Sequence, residues 1–454
     1  MKAPIAVREY ASLTTGPVPT PTLALAHISP DDFDWLCQQS RRFRVSHETP
    51  IAEAAENGTP ADGMPLVKVL GRRTLRLDNY VGVIETPSGQ LIEILPKTAS
   101  DGDDPSQGRR LLRQMLECAL DLPPREVSEA VLQGFDAPLS EWVMARFLAA
   151  LQHLVKRGVR SDYLRIEGEE RFLRGQLDVV RQMRQPPGRA QHFALRYDLF
   201  LPDRAENRLL KLALVQVAAA TQQPESWRLA QELRHLLVEV PASGDVAGDF
   251  RQWRDDRLMA HYRDVRPWCE LILQRIMPMA LHGEWRGISL LFPMEKLFER
   301  YVEAGLRRQL LPGAALRSQA SSLSLCTHQG KPMFELRPDL LLIHSEQRWV
   351  LDAKWKRLDG GDREGKYGLS QADLYQLFAY GHKYLDGQRG QMDLVLIYPS
   401  WERFKAPLEP FRFDERLTLW VLPFELDPNL PHQLILPDPQ REASSHTLRL
   451  PLNG

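Results

Sequence analysis

The chain has 454 residues, of which 43% are hydrophobic and 26% charged, so it is long enough for two or three domains. The formal net charge is −1, so no overall basic excess points to nucleic acid, and any such contact must come from a local patch. The scattered cysteines form no CxxC pair, which argues against a zinc or iron–sulfur site. The chain also lacks a signal-peptide core and an apolar run of membrane-helix length. These observations predict a cytoplasmic protein.

Residues 1–100 are predicted to form a small β module. A Pro- and Thr-rich arm contains a short strand at Ile5–Glu9, and Ser29 is suited to cap a helix that runs to Arg42. Short β segments follow at close spacing, at Val67–Leu70, Thr74–Leu77, Val81–Glu85 and Leu91–Leu95. This spacing is typical of a small barrel or sandwich.

Residues 101–286 are predicted to be a mostly helical scaffold. The polar segment Asp101–Gly108 reads as the linker that opens it, and Glu169–Met183 as a strand or hairpin with a turn at Gly175. The remaining stretches are read as helical, several of them with clear helical spacing: Arg109–Leu122, Pro138–Gly158, Asp203–Gln222, Trp227–Leu237 and Phe250–Met279.

Positive charge is concentrated at two places. Arg72, Arg73 and Arg76 form a basic cluster on the β module, compatible with either a solvated strand edge or a partner contact. The window Lys156–Arg196 is the most basic in the chain and is the candidate for contact with a phosphate backbone. A solvated arginine-rich face or an internal salt-bridge network explains that window equally well.

Residues 287–454 are predicted to form an α/β module. Helix Pro293–Leu310 opens it, and Glu295, Glu299 and Glu303 recur along this helix. The later elements are a strand at Ser321–Thr327, a charged loop at Leu358–Gly368, and strands at Met392–Tyr398 and Leu417–Pro423. Between the loop and these strands, Ser370 is predicted to cap a helix that runs to Leu385 with Asp373 in its first turn. The chain ends in a Pro-rich tail from Asp427, within which Leu448–Leu452 is able to pack.

The stretch Arg337–Trp355 reads as two strands joined by a turn at His344–Gln347. If Ile343 pairs with Arg348, then Asp339 lies opposite Asp352, and the two carboxyls share one face of the hairpin. Lys354 lies two residues beyond Asp352 and shares that face as well. Two carboxylates and one ammonium therefore converge at the end of a hairpin that is otherwise apolar.

Adjacent carboxylates in an apolar setting call for a neutralising cation, and oxygen ligands favour Mg²⁺, or Mn²⁺ in its place. Such an ion activates water and stabilises phosphoryl charge, and Lys354 would orient that water or offset charge. The pattern therefore indicates phosphodiester hydrolysis. The alternative is a plain salt bridge from Lys354 that closes the strand end, because Asp followed later by Asp-x-Lys is a degenerate pattern.

Pro338-Asp339 followed by Asp352-Ala353-Lys354 resembles the PD-(D/E)XK nuclease motif. The surroundings resemble the McrC family, the nuclease subunit of McrBC-type modification-dependent restriction systems. The matching segments run in family order over most of the chain: YVGVIETPSGQLIEILPK at Tyr80–Lys97, LRGQLDVVRQMR at Leu173–Arg184, ENRLLKLAL at Glu206–Leu214, FPMEKLFERYV at Phe292–Val302 and DLYQLFAYG at Asp373–Gly381.

This resemblance implies an α/β and α+β multidomain protein with a C-terminal PD-(D/E)XK restriction-endonuclease-like domain. It implies Mg²⁺-dependent cleavage of modified double-stranded DNA, with Asp339, Asp352 and Glu299 as metal ligands. It also places Gln376 and Tyr380 beside the site. In the family the N-terminal region docks on McrB, a ring-shaped AAA+ GTPase, and stimulates its GTP hydrolysis.

The chain contains no GxxxxGK[ST] phosphate-binding loop, so GTP would be hydrolysed by the partner rather than by this chain. Two alternatives to a restriction nuclease stay open. One is a catalytically silent subunit that only activates an AAA+ motor, against which the intact Asp, Asp and Lys set argues. The other is a PD-(D/E)XK nuclease of DNA repair.

Overall fold

The computed structural model describes residues 4–46, 66–97, 104–119, 138–189, 191–254, 256–273, 289–320, 323–427, 430, 433–437 and 448–452. The strands are β1 Ile5–Arg8, β2 Ser12–Thr14, β3 Leu25–His27, β4 Val67–Val69, β5 Thr74–Leu77, β6 Tyr80–Glu85, β7 Leu91–Leu95, β8 Asp162–Glu170, β9 Gln176–Leu177, β10 Phe193–Leu201, β11 Ser289–Pro293, β12 Ala314–Ser318, β13 Leu323–His328, β14 Lys331–Leu336, β15 Leu340–His344, β16 Gln347–Ala353, β17 Met392–Pro399, β18 Phe411–Arg412 and β19 Leu417–Phe424. The helices are α1 Pro30–Ser46, α2 Pro105–Ala119, α3 Leu139–Arg157, α4 Val179–Met183, α5 Ala205–Ala220, α6 Pro224–Leu236, α7 Val246–Gln252, α8 Arg266–Leu273, α9 Met294–Gln309 and α10 Gln371–Tyr384. Short 3-10 turns lie at Pro187–Arg189, Arg257–Tyr262 and Lys366–Gly368.

The chain divides into two compact units, one made of Met1–Arg125 with Pro278–Gly454 and the other of Glu126–Met277. Helices occur together with several separate sheets, which confirms the mixed α and β multidomain class. The predicted boundaries, at residues 100/101 and 286/287, lie outside the described residues. The division into three segments therefore stays a prediction.

The first unit begins with two four-stranded sheets, in the orders β1–β7–β6–β11 and β3–β2–β5–β4. The four strands predicted between residues 67 and 95 are all present, but they are divided between these sheets. Strand β11 comes from much later in the chain and pairs antiparallel with β6, so that Leu290 lies opposite Val83. Because β11 leads directly into α9, the N-terminal sheet fixes the start of the helix that carries Glu299.

Two predicted helix caps differ in how fully they form. The Ser29 hydroxyl accepts a hydrogen bond from the Asp32 N–H at 3.2 Å and donates one to the Asp32 carboxylate at 2.6 Å, so it caps α1 as predicted. Ser370 occupies the N-cap position of α10, but its side chain makes no capping hydrogen bond. That prediction is therefore correct in position only.

The C-terminal part of the first unit is built on a six-stranded sheet, in the order β12–β15–β16–β17–β19–β18. Strands β17 and β19 run parallel to β16 and are buried at every residue, as their continuous apolar sequence predicted. Leu377 and Tyr380 of α10 belong to one buried cluster with Val350 of the sheet. Residues of the opposite strand parity, such as Phe424, contact Phe298 of α9. The two helices therefore cover opposite faces of this sheet.

The strand predicted at Ser321–Thr327 is confirmed for its described residues, which lie in β13, but it does not lie beside the hairpin. Ser321 lies outside the described residues, and the strand observed nearby, β13, pairs only with β14 in a separate two-stranded sheet. The strand that lies beside β15 is β12, whose Leu316 is opposite Leu342. Residues 323–336 contain a local hairpin with its own turn at Gln329-Gly330, so they do not enter the large sheet.

The second unit contains helices α3, α5, α6, α7 and α8, in agreement with the predicted scaffold, but also a three-stranded sheet in the order β8–β10–β9. Its main pair joins β8 and β10 along nine residues each, with Ile166 opposite Tyr197. The prediction of a strand or hairpin at Glu169–Met183 is correct only in part. Strand β9 and helix α4 lie in it, but the ladder itself spans residues outside it.

The Pro-rich tail is described only in part, because 428–429, 431–432 and 438–447 lie outside the described residues. Leu448, Leu450 and Leu452 are buried, and Leu452 forms a β-bridge with Leu310, as the packing prediction required. Among the helices that the structure describes, none is both long and apolar enough to span a bilayer.

A substitution at Gly82 tests the pairing of β11 with β6 in the N-terminal sheet. Its φ is +130°, and a Cβ added there would lie 1.9 Å from the Leu290 carbonyl oxygen. We expect Gly82→Ala to lower the free energy of unfolding by about 3 kcal/mol or more, from backbone strain and overpacking. Gly71→Ala is the control, because nothing lies within 4 Å of its added Cβ. Thermal unfolding of both variants measures the effect. An unchanged unfolding midpoint for Gly82→Ala would contradict the close approach of Gly82 to the Leu290 carbonyl.

Candidate functional site

The hairpin of β15 and β16 has the register that the sequence predicted. Ile343 pairs with Arg348, and Leu342 pairs with Trp349. The turn is tighter than predicted, because His344 also pairs with Gln347 and leaves a two-residue connection. Ser345, the first residue of that connection, has a φ of 55°, the left-handed conformation that such tight hairpin turns require.

Asp339 and Asp352 meet at the open end of this hairpin, on one face. The Asp339 Oδ2 atom accepts a hydrogen bond from the Ala353 N–H at 2.9 Å, which holds its carboxyl beside the last residues of β16. Asp352 is 2% exposed and shares the strand parity of Val350, which packs in the α10 cluster. The chain thus places two carboxyls where water is largely excluded.

Lys354 supplies the positive charge of the site. Its Nζ lies 2.7 Å from the Asp352 Oδ2 atom, and its backbone N–H donates to the Ile397 carbonyl of the neighbouring strand at 2.9 Å. Burial lowers the pKa of Lys354, but Asp352 and Asp339 outweigh burial and raise the pKa above its ordinary value. The ammonium therefore stays charged and acts as a fixed cation rather than as a proton acceptor.

The carboxyls of the site resist ionisation. Burial, followed by the charges of Asp352 and Glu299, raises the pKa of Asp339 to about 8. Burial and the charge of Asp352 also raise the pKa of Glu299 on α9 to about 7, against the opposing effect of Lys354. The pKa of Asp352 is likewise raised, mainly by burial. One ammonium does not neutralise this group of acids, so it has capacity for a further cation.

The donor atoms fit a hard divalent cation. The Asp352 Oδ1 atom is buried and makes no hydrogen bond, so a lone pair is left for a ligand. Among the described residues, no group of three or more His, Cys, Asp or Glu side chains is arranged as a ready-made metal site. Mg²⁺ does not need one, because it is commonly held by one or two carboxylates together with water and substrate phosphate. Asp339 and Asp352 provide that minimum, and Glu299 adds negative charge from α9.

The predicted site residue Gln376 is connected to the segment before Asp339 through a second residue, Tyr380. Its side-chain amide donates to the Tyr380 hydroxyl at 2.6 Å, and that hydroxyl donates to the Arg337 carbonyl at 3.0 Å. Gln376 and Tyr380 thereby connect α10 to the backbone that precedes Asp339. The catalytic and metal-binding roles assigned to these residues from the sequence stay predictions.

Sequence reasoning missed Asp373 as part of the site. It lies in the first turn of α10, and its negative charge raises the pKa of both Asp352 and Lys354. The available signal was its position three residues before Gln376, which puts both side chains on one helix face. Sequence reasoning treated it only as an acidic residue of the first helical turn.

The two basic regions are exposed in different ways. Arg72, Arg73 and Arg76 are exposed on the N-terminal module. In the window Lys156–Arg196, part of the positive charge is used internally: Arg196 forms ion pairs with Asp178 at 2.5 Å and with Glu167 at 3.2 Å, and Arg189 with Glu169 at 3.2 Å. This observation favours the salt-bridge interpretation for those arginines, while contact with phosphate stays a prediction.

Comparison with solved structures shows the fold. The chain is similar to a chain in the refined half-complex from the tetradecameric assembly of Thermococcus gammatolerans McrB AAA+ hexamers with bound McrC, at 20% identity and a TM-score of 0.68, over 93% of this chain and 95% of the other. It is also similar to a chain in the cryo-EM structure of the Thermococcus gammatolerans McrBC complex, at 21% identity and a TM-score of 0.50, over 67% of this chain and 88% of the other.

Comparison with curated proteins gave no match. A family model, described as the McrBC 5-methylcytosine restriction system component, matches residues 75–399. The matched region contains strands β6 and β7, the β15–β16 hairpin and helices α9 and α10. It thus includes Asp339, Asp352 and Lys354. The chain therefore belongs to the McrBC 5-methylcytosine restriction system component family.

Proposed function

We propose that this chain is the Mg²⁺-dependent DNA endonuclease subunit of a GTP-dependent restriction complex, with a PD-(D/E)XK nuclease domain at its C-terminal end. The observation that carries the proposal is the buried meeting of Asp339, Asp352 and Lys354 at the end of one hairpin. A site that served only to close a strand would not need a second carboxyl with a raised pKa or an unpaired buried oxygen.

Asp339 and Asp352 would hold the cation, with Glu299 beside them. When bound, Mg²⁺ lowers the pKa of a water and offsets charge on a phosphoryl oxygen. The chain's own residues do the rest. Lys354 keeps its proton, so it stabilises negative charge that develops on the phosphate. The Ala353 N–H orients Asp339, and the Lys354 ammonium orients Asp352.

The partner is an AAA+ GTPase of the McrB type. The similar Thermococcus assembly contains McrB AAA+ hexamers with bound McrC, and this chain has no phosphate-binding loop of its own. GTP hydrolysis therefore belongs to the partner, and cleavage of modified double-stranded DNA belongs to this chain.

The second unit offers a surface for that partner. Its sheet and the adjoining α4 expose large apolar side chains close to arginines, and a monomer in water rarely leaves such side chains uncovered. Phe172 and Met183 are each 82% exposed, and the rings of Tyr163 and Phe200 pack together at 5.0 Å while remaining exposed. We assign docking of the AAA+ partner to this apolar face. This assignment departs from the family resemblance, which implies docking through residues 1–100. The alternative surface is therefore the arginine cluster of that N-terminal module.

The nuclease assignment is tested with Asp352→Asn. Loss of a metal ligand removes several kcal/mol of transition-state stabilisation, so we expect cleavage by the complex with partner, GTP and Mg²⁺ to fall about a thousandfold. Asp386→Asn, at an exposed position just beyond α10, is the control and should cleave normally. Stimulation of partner GTP hydrolysis should persist in both variants. Cleavage by Asp352→Asn at the normal rate would remove the metal-site assignment.

The raised carboxyl pKa values predict how pH affects the metal-free protein. The folded-state pKa values of Asp339 and Glu299, about 8 and about 7, exceed their ordinary values of 3.8 and 4.5, so these groups favour folding when they are protonated. Their contribution is fully present below the ordinary values and is lost as pH rises through about 7 and 8. We therefore expect the melting temperature to fall from about pH 6 to about pH 9, and to fall less in Asp339→Asn.

Saturating Mg²⁺ should restore the melting temperature at the upper end of this range, because a ligand that binds only the folded state stabilises it. Differential scanning calorimetry at matched pH measures both effects. Identical pH profiles for the native protein and Asp339→Asn would show that the Asp339 carboxyl ionises normally.

The docking surface is tested with the double variant Phe172→Ser and Met183→Ser. Loss of two exposed apolar contacts should weaken partner binding about tenfold or more. Phe334→Ser is the control, because Phe334 is 68% exposed but lies in the first unit. A triple variant of Arg72, Arg73 and Arg76 to Ala tests the alternative surface. If only the arginine variant lost binding, as measured by titration calorimetry, the partner would dock on the N-terminal module.

A further inference from the structure

A buried carboxylate near the start of the chain forms a hydrogen bond with a residue just after strand β16. Glu9 follows β1 and is 3% exposed. Its Oε1 atom accepts a hydrogen bond from the Trp355 indole Nε1–H at 2.6 Å and another from the Lys97 backbone N–H at 3.0 Å. Trp355 directly follows Lys354, the cation of the candidate site. One side chain of the N-terminal sheet thereby restrains the peptide that carries Lys354.

The same indole also touches the helix that carries Glu299. The Trp355 ring packs on Phe298 of α9, with ring centroids 5.1 Å apart and an interplanar angle of 55°. Phe298 is fully buried and directly precedes Glu299. Trp355 therefore directly follows Lys354 in the chain and contacts the residue that directly precedes Glu299. Its orientation influences the placement of both charged side chains.

The Glu9 carboxylate, which accepts the hydrogen bond of the Trp355 indole, is a group that is costly to bury. Burial raises the pKa of Glu9, and the Lys97 charge opposes that effect. The Glu9 Oε2 atom is buried without a hydrogen-bond partner. The Lys97 Nζ atom in turn lies 4.3 Å from the centroid of the Tyr10 ring. An apolar residue would fill the same space at lower cost, whereas the carboxylate fixes the direction of the indole N–H.

The backbone of the N-terminal sheet reinforces this connection. Strand β1 pairs in parallel with β7, and the Glu9 N–H donates to the Leu95 carbonyl at 2.9 Å. At the far edge of the same sheet, β11 runs directly into α9. The N-terminal sheet is thus connected to the site in two places, through Glu9 to the residue after Lys354 and through β11 to the helix that carries Glu299.

We propose that Glu9 and Trp355 are positioning residues of the nuclease centre, where their hydrogen bond sets the placement of Lys354 and Glu299 around the bound cation. This inference rests on the proposed nuclease function. Neither residue is a candidate ligand of the cation. Their effect is indirect and appears in turnover and in metal affinity, while DNA binding is unaffected.

The test uses Glu9→Ala, Glu9→Gln, Trp355→Phe and the double variant Glu9→Ala/Trp355→Phe. Glutamine keeps an oxygen that accepts from both donors, and phenylalanine keeps the packing on Phe298 but loses the N–H. Turnover is measured in the complex with partner, GTP and Mg²⁺. Mn²⁺ affinity of the chain alone is measured by titration calorimetry, which does not depend on cleavage.

We expect Glu9→Ala and Trp355→Phe each to lower kcat and Mn²⁺ affinity about tenfold or more, with KM for DNA unchanged. Because both variants remove one interaction, the double variant should be no worse than either single one. Glu9→Gln should stay close to the native protein in both measurements.

Trp420→Phe is the matched control. The Trp420 indole donates to the Asp393 carboxylate at 2.8 Å, so it forms another buried indole–carboxylate hydrogen bond, between β19 and β17 of the six-stranded sheet. This variant should lower the melting temperature without changing kcat or Mn²⁺ affinity.

If Glu9→Ala and Trp355→Phe lost only melting temperature, like the control, the pair would be purely structural and the inference would be overturned. It would also be overturned if Glu9→Gln fell as far as Glu9→Ala. If the native chain neither bound Mn²⁺ nor cleaved DNA, the proposed function itself would fail. Native activity with unchanged Glu9→Ala would instead leave that function intact.

Discussion

The unfavourable ionisation of neighbouring carboxyl groups at the end of the β15–β16 hairpin is the constraint on which the site depends. Asp339, Asp352 and Glu299 influence one another across a poorly solvated space. Lys354 offsets all three, and Lys296 also opposes the rise in the pKa of Glu299. The neighbouring strands β17 and β19, which are buried at every residue, hold this arrangement in a closely packed sheet. Under the proposed function, a bound cation would relieve the repulsion between these carboxyls.

The hairpin could be predicted from sequence because its information is local. The position of the turn fixes the pairing register, and a shift of one residue would put Asp339 and Asp352 on opposite faces. The strands between residues 67 and 95 were predictable for the same reason. Short turns separate them, and each has its own apolar pattern.

The features that sequence reasoning missed depend on residues far apart in the chain. Nothing near β11 indicates that it pairs with β6, and nothing near Glu9 indicates that its partner is Trp355. The three-stranded sheet of the second unit was missed because β8 is rich in charged and exposed residues, and neither β8 nor β10 shows the clean apolar alternation of a half-buried strand. Asp373 was overlooked because an acidic residue in the first helical turn already has an ordinary explanation.

The parallel pairing of β1 with β7 and the antiparallel pairing of β11 with β6 limit how this protein can be divided. A fragment that began after the second unit would keep the β15–β16 hairpin but leave β11 as an unpaired edge and the Trp355 indole without its acceptor. Exchange of the C-terminal part between relatives by recombination would therefore succeed only if the first hundred residues moved with it. For recombination, the two ends of the chain behave as one segment that the second unit interrupts.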